Sequence, residues 1–351
     1  MIQQAVQRIL DGGALTREEI EGTVREMAEG RATQSQMGAF LVALRQRGET
    51  PEEIAAFATT FREYSVRISP HVSGRLVDTC GTGGDRVKTF NVSTVSAFVA
   101  AGAGATVAKH GNRSVTSRCG SADVLERLGF NLGTPPASVK ETIEKVGVGF
   151  MFAPTFHPAM KHIAPVRKEL GVRTVFNLMG PLINPAGANA QLVGVYSPEL
   201  VKKVAHVLRM LGSDEVMVVH ALEGMDEIST SGKTLVAWLK DGKVETHELS
   251  PEDFGVAKSE GVGREIDGVD EAARTALRIL DCTLRDSPLT DMVLVNSAAA
   301  LLVDGKADDL AGGVELARES LASGAALSKL KELVRGSGGD MARIEVYAED
   351  G

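Results

Sequence analysis

Two glycine-rich segments carry the residue types and the spacing needed to hold a phosphate. The first, Asp78-Thr-Cys-Gly81-Thr-Gly83-Gly84-Asp85, begins on a short apolar run, Leu76-Val77-Asp78, that reads as a strand. Glycines at the C-terminal end of a strand let backbone N–H groups converge on an anion. A helix starting near Asn91-Val92-Ser93-Thr94 adds hydroxyl donors and its partially positive N-terminus. A turn that merely linked strand to helix would not need Asp85, Asn91, Ser93 and Thr94. The known nucleotide motifs do not fit. There is no Walker phosphate loop, and Gly81-Thr-Gly83 has Arg86 where a dinucleotide fingerprint places its last glycine.

The second segment, Lys109-His110-Gly111-Asn112-Arg113-Ser114-Val115-Thr116-Ser117, also follows a strand-like run. Its cations, amide and hydroxyls suit a pyrophosphate clamp. Two such loops at adjacent strand ends form one site, because ligands bind at the carboxyl edge of a parallel sheet. His110 reads either as a general base or as a structural donor, and the absence of any sequence neighbour to pair with favours the donor. Asp226-Glu227 follows the apolar strand 215–220. Adjacent acids are common in this chain, so the position after a buried strand gives the pair its weight. Carboxylates facing a pyrophosphate bind Mg²⁺, which bridges phosphate oxygens.

These residues need elements to position them. The first 67 residues read as helices, with capping boxes at Thr16-Arg-Glu-Glu19 and Thr33-Gln-Ser-Gln36. Thr50-Pro51-Glu52-Glu53 supplies an N-cap and a proline at the first helical position. Apolar residues recur at helical spacing after each start, as in Met37, Phe40, Leu41 and Leu44. A linker at 69–74 follows, and then strand 76–78, helix 92–103 and strand 105–108 make a βαβ unit. Further strands are expected at 148–152, 192–196 and 215–220. Strands 235–238 and 244–247 flank the hairpin signal Asp241-Gly242. Helices near 199–211, 268–281, 288–303 and 311–334 would cover the sheet. The proline-rich stretch 158–185, with His162, Arg167 and Arg173, looks like a crossing between domains.

The fold class expected is α/β: a small all-helical domain plus a large α/β domain with a mostly parallel central sheet. Residues 1–72 form the helical domain, with part of 160–186 returning to it, and 73–159 with 187–351 form the α/β domain. A chain of 351 residues is long enough for two cores. The 4% aromatic content and net charge of -8 argue against a base-stacking surface or a global basic field, so no nucleic-acid partner is expected. No apolar run of 18 residues crosses a membrane. Three cysteines without a CxxC or zinc spacing suit a reduced, cytoplasmic protein, and a reactive thiol at Cys80 or Cys119 stays open.

Taken together, Gly81-Thr-Gly-Gly-Asp85, Asn91-Val-Ser-Thr94, Lys109-His-Gly-Asn-Arg113, Arg167, the run Asn177 to Pro185 (NLMGPLINP) and Met225-Asp-Glu-Ile228 resemble the anthranilate phosphoribosyltransferase family, in the same order along nearly the whole chain. The resemblance implies the nucleoside phosphorylase/phosphoribosyltransferase type of fold. It implies transfer of phosphoribosyl from phosphoribosyl pyrophosphate (PRPP) to the amine of anthranilate, in tryptophan biosynthesis. The PRPP contacts it implies are Gly81, Gly84, Asp85, Thr89, Asn91, Val92, Ser93, Thr94, Lys109, His110, Gly111, Asn112, Arg113, Ser114, Val115, Thr116, Ser117 and Ser121. Ser93, Asp226 and Glu227 would hold Mg²⁺, with two ions, and Gly81, Asn112 and Arg167 would contact anthranilate. Members are homodimers joined through the helical domain, and no single residue serves as catalytic acid or base. Arg167 reads either as the anthranilate carboxylate's partner or as an interdomain ion pair. A pyrimidine nucleoside phosphorylase and a non-catalytic nucleic-acid-binding relative are the competing readings.

Overall fold

The computed structural model describes residues 1–84, 90–114, 119–259, 266 and 268–349. Four helices open the chain: α1 (Ile2–Leu10), α2 (Arg17–Ala28), α3 (Gln34–Arg47) and α4 (Pro51–Glu63). The last three start at full capping boxes, Thr16 with Glu19, Thr33 with Gln36 and Thr50 with Glu53. Each box satisfies two backbone N–H groups that a helix start otherwise leaves unbonded.

The sheet builds next: β1 (Val77–Gly81), α5 (Val92–Gly102), β2 (Val107–Gly111), α6 (Ser121–Arg127), α7 (Pro136–Val146) and β3 (Val148–Phe152). A crossing follows, with α8 (Ala153–Phe156), α9 (Met160–Leu170) and α10 (Phe176–Leu182). The chain returns to the sheet through β4 (Ala190–Gly194), α11 (Glu199–Met210), β5 (Glu215–Ala221), β6 (Thr234–Lys240) and β7 (Lys243–Leu249). Helices α12 (Val269–Leu280), α13 (Pro288–Asp304), α14 (Leu310–Ala322), α15 (Ala325–Gly336) and α16 (Ala342–Glu349) complete the chain.

The strand order is β3-β2-β1-β4-β5-β6-β7. The first five strands run parallel, while β6 and β7 form an antiparallel hairpin at one edge. The chain moves outward from β1 to β3 and then returns to lay β4 on the other side of β1. That reversal opens a crevice beyond the C-terminal ends of β1 and β4, where Gly81 and Gly194 stand in register.

Two large cores lie on the two faces of the sheet. One joins α5, α12, α13, α14 and α15 to residues such as Val77, Leu192 and Met217. The other joins α1 to α4, α9, α10 and α11 to Cys80, Val193 and Val218. The period-2 alternation of the strands assigns each residue its face. Through Ile163, Val166, Phe176 and Met179, α9 and α10 pack in the same core as the N-terminal helices.

The sequence expectation differs in detail at several elements. The strand expected at 105–108 is β2 at Val107–Gly111, and the strand expected at 192–196 is β4 at Ala190–Gly194, because hydrogen bonding to β1, β3 and β5 sets where strands end. The single helix expected at 311–334 is two helices, broken at Gly324, whose φ of +76° suits a residue without Cβ. The proline-rich crossing contains α9 and α10, each with an internal proline.

Candidate active site

The first glycine loop leaves β1 under three restraints. Thr82 donates its N–H to Gly194 O at 2.9 Å and accepts the Tyr196 N–H on its hydroxyl at 3.1 Å. Gly83 donates to Asp226 Oδ2 at 2.8 Å. The Arg173 guanidinium donates to the Gly84 carbonyl. Gly81 and Gly194 lack Cβ for a steric reason: an added Cβ would stand 2.6 Å from Asp226 Oδ2 at Gly81, and 1.6 Å from the Asp226 carbonyl at Gly194.

Asp226 and Glu227 follow β5 and reach the start of α5, where Glu227 Oε1 accepts the Ser93 N–H at 3.3 Å. Asn296, from the buried helix α13, fixes the turn after the acids by bonding both peptide groups of Ile228, at 2.9 and 3.0 Å. Asn296 escaped the sequence reading, although a lone amide in the apolar run VLVNSAAALL was a signal. Lys109, buried at the C-terminal end of β2, donates to Thr79 O and, at 3.3 Å, to Ser93 Oγ. Burial lowers its pKa, and nearby Asp78 and Glu227 oppose the shift. Asp78 is itself raised by burial, although Asn184 Nδ2 donates to it at 2.8 Å and the His110 N–H at 3.2 Å.

The N-terminus of α5 opens into the crevice. Asn91 makes no side-chain cap, and its amide instead reaches Cys119 O at 3.5 Å. The Thr94 hydroxyl is buried with no hydrogen-bond partner. A buried unsatisfied hydroxyl is costly unless a ligand completes it. The Val92 side chain is fully buried in the core, leaving only its backbone near the crevice. The partial positive charge of the helix start favours an anion there.

In the second loop, the Asn112 side chain accepts the Arg113 N–H at 2.8 Å, and the Asn112 carbonyl accepts from Ser121 Oγ at 3.3 Å. Gly111 gives Ser121 room, since a Cβ there would lie 2.3 Å from that Oγ. Arg113 is committed to Asp123 and Glu126 at 2.8 Å each, so it ties the loop to α6. Ser114 donates its N–H to the same Asp123 at 3.2 Å. Asp85, Thr89, Val115, Thr116 and Ser117 lie outside the described residues.

Across the crevice, α9 presents Arg167, whose Cζ lies 5.5 Å from the Phe176 ring centroid. Burial lowers its pKa, and no acidic group opposes that shift. It is a half-buried cation facing the loops, not an interdomain ion pair among the described residues. His110 Nδ1 contacts Gly180 O at 3.1 Å, its Nε2 meets His157 Nε2 at 3.1 Å, and His157 Nδ1 meets Ser65 Oγ at 3.0 Å. Burial pushes the Cys119 thiol up to about 12 and Cys80 well above its ordinary range, so neither is a thiolate at neutral pH.

The two loops, Asn91, Ser93, Thr94, Lys109, His110, His157, Arg167, Arg173, Asp226 and Glu227 line one cleft of about 1200 Å³. Asp226 and Glu227 are the only carboxylates on its described wall. Among the described residues no cluster of three or more His, Cys, Asp or Glu could hold a metal alone. Two carboxylates and a hydroxyl fit Mg²⁺, which keeps waters and takes its remaining ligands from substrate phosphates.

A helical bundle beside a mostly parallel sheet, with a polar crevice at the sheet's switch point and a cation facing it, is the plan of a glycosyl transferase family. Two family models match accordingly: the helical bundle domain of a glycosyl transferase family over residues 3–65, and its a/b domain over 73–327. The anthranilate phosphoribosyltransferase of Methanocorpusculum labreanum is 47% identical over 97% of this chain and 99% of that protein. That of Nitrosomonas europaea is 49% identical over 95% and 97%. Among solved structures, the enzyme from Thermus thermophilus superposes with a TM-score of 0.88 at 44% identity, covering 95% of this chain and 99% of that one. The enzyme from Saccharomyces cerevisiae in complex with PRPP and Mg gives 0.88 at 29% identity, covering 96% and 98%. The chain belongs to the anthranilate phosphoribosyltransferase family.

Proposed function

We propose that this chain transfers the phosphoribosyl group of PRPP to the amine of anthranilate, giving N-(5-phosphoribosyl)anthranilate and pyrophosphate, as a step of tryptophan biosynthesis. One observation carries the reading: the two sides of a single cleft are chemically opposite to the two substrates. Loop N–H groups, the α5 N-terminus, Lys109 and the Asp226-Glu227 pair face one side, while Arg167 faces the other without an acid. A pyrophosphate with its metal and an aromatic carboxylate answer those needs.

The leaving of pyrophosphate from the ribose builds negative charge on its oxygens and positive character on the sugar. Lys109, the Ser93 and Thr94 hydroxyls and the loop N–H groups stabilise that charge from fixed positions. Ser93, Asp226 and Glu227 would hold Mg²⁺, which would supply further charge neutralisation. Arg167 takes the carboxylate of anthranilate, with Gly81 and Asn112 beside it, so that the amine faces the sugar carbon. The amine is nucleophilic without a strong base, which suits neutral His110 and His157. We place the protein in the cytoplasm as a homodimer joined through its N-terminal helices, where Leu10 and Val42 are exposed apolar side chains. No helix of the described residues is long and apolar enough to cross a membrane.

The test is the loss of anthranilate fluorescence on adding PRPP and Mg²⁺, with phosphate and thymidine as the control pair. Turnover of the first pair alone is expected. Turnover of thymidine with phosphate would sink the proposal in favour of a nucleoside phosphorylase.

A further inference from the structure

We propose that Arg173 is a positioning residue that holds the pyrophosphate-binding loop Thr82-Gly83-Gly84 in shape from the opposite wall of the cleft. The inference deepens the transfer reading and rests on it.

The loop has little conformational preference of its own. Gly83 and Gly84 take φ of +64° and +78°, in the region that glycine enters readily and also leaves readily. A loop that must keep one shape beside a pyrophosphate therefore needs restraints from outside. Two come from the α/β side, through Thr82 to the end of β4 and through Gly83 to Asp226. The third comes from the segment between α9 and α10, where Arg173 donates to the Gly84 carbonyl.

Arg173 is itself held in place. Its Cζ lies 4.1 Å from the centroid of the Tyr196 ring, the tightest of the cation–aromatic contacts among the described residues. The backbone N–H of that same Tyr196 bonds Thr82 Oγ1 at 3.1 Å. Tyr196 thus grips one end of the tripeptide with its backbone and, through Arg173, the other end with its ring. A planar guanidinium can stack and donate at once, and an ammonium cannot reproduce that pairing of roles. Because α9, six residues upstream, carries Arg167, one segment both presents the carboxylate partner and braces the pyrophosphate loop.

The experiment is calorimetric binding of PRPP with Mg²⁺ to the full-length wild type and to Arg173→Ala, Arg173→Lys, Tyr196→Leu and the Arg173→Ala/Tyr196→Leu double variant. Steady-state kinetics and melting temperatures accompany it. Arg173 is exposed and leucine keeps much of the tyrosine volume, so all variants are expected to melt near the wild type. Arg173→Ala should weaken PRPP about tenfold or more, the scale of one charge-assisted hydrogen bond. Tyr196→Leu, which removes no charge, should weaken it in the same direction. Arg173→Lys should stay near Arg173→Ala, and the double variant should cost less than the sum of the single ones. KM for anthranilate should hold within about twofold, as that substrate's contacts are untouched. Unchanged PRPP binding in Arg173→Ala or Tyr196→Leu overturns the proposal. So does full rescue by lysine, which would make Arg173 a direct charge contact. Wild-type protein that binds PRPP without consuming anthranilate would defeat the transfer reading and leave the loop comparison standing.

Discussion

His157 places its Nε2 3.1 Å from Nε2 of His110, and the flanking bonds order the protons of two neutral rings. The Gly180 carbonyl only accepts, so His110 carries its proton on Nδ1 and offers a bare Nε2. His157 must then donate from Nε2 and accept from the Ser65 hydroxyl on Nδ1. A single directed chain runs from the end of the helical bundle to the wall of the cleft, and burial keeps both of its rings neutral.

Burial, and then the neighbouring His110, push His157 down to about 2, and burial also lowers His110. Both folded-state values lie below the unfolded 6.5. Below pH 6.5 the unfolded chain therefore binds protons that the folded chain refuses. For His157 the stabilisation is complete above 6.5 and drains away as the pH falls towards 2, by up to about 1.4 kcal/mol per pH unit, and His110 acts in the same direction. His157→Gln should lower stability at pH 7 but flatten its decline between pH 6.5 and 4.5. Chemical denaturation across that range gives the slopes, and equal slopes for both proteins would refute the neutral pair.

Arg167→Ala should raise KM for anthranilate ten- to a hundredfold, the equivalent of about 1.5–3 kcal/mol for a charge-assisted bond. KM for PRPP should move far less. Steady-state kinetics with each substrate varied in turn make the comparison, and an unchanged anthranilate KM removes Arg167 from the site.

Asp226→Asn combined with Glu227→Gln should abolish most turnover together with its dependence on Mg²⁺. The amides keep acceptor oxygens for the Gly83 and Ser93 N–H groups, so the loop contacts can persist while the negative charge is lost. A Mg²⁺ titration of activity decides the matter. Normal metal-dependent turnover in the double variant would show that the metal sits elsewhere.

Two alanine substitutions should separate binding from folding. At Gly81 the new methyl meets the end of the Asp226 side chain, which can swing aside, so Gly81→Ala should fold and bind PRPP and metal poorly. At Gly194 it meets the Asp226 backbone carbonyl, which cannot. Gly194→Ala should lose about 1–3 kcal/mol of stability or more, as overpacked cores do. Melting curves beside PRPP titrations test the contrast, and equal stability of the two variants would contradict it.

Glu53 should be the most sensitive acid of the helical bundle. Its side chain is 3% exposed, pairs with Arg47, and accepts the N–H groups of Leu15 and Thr50 at 2.8 and 2.9 Å. Glu53→Ala strands the two N–H donors and leaves the half-buried Arg47 to the Gly13 and Gly48 carbonyls, for a loss of about 1–3 kcal/mol. Urea unfolding measures it, and a loss below 1 kcal/mol would be inconsistent with this network.

The sequence alone determined the features whose causes are local. The capping boxes at Thr16, Thr33 and Thr50 are complete within four residues, so the starts of α2, α3 and α4 were legible, whereas α1 begins without a side-chain cap. The glycine loops and the acid pair were legible because strand-end glycines and a carboxylate pair after a buried strand need no distant partner to be recognised. Strand limits were less so, since the ladder partners of β2 and β4 decide them. Tertiary structure alone decided which polar groups meet. The sequence counted Arg113 among the cations of a clamp, whereas folding brings α6 close enough for Asp123 and Glu126 to claim it. It left His110 without a partner, and the crossing segment delivers one 47 residues away in His157. Arg173 stood in the sequence only as one more charge in a proline-rich crossing, and Tyr196 and Gly84 give it a role. Such contacts depend on the order in which strands join the sheet, and nothing in the spacing of residues records that order.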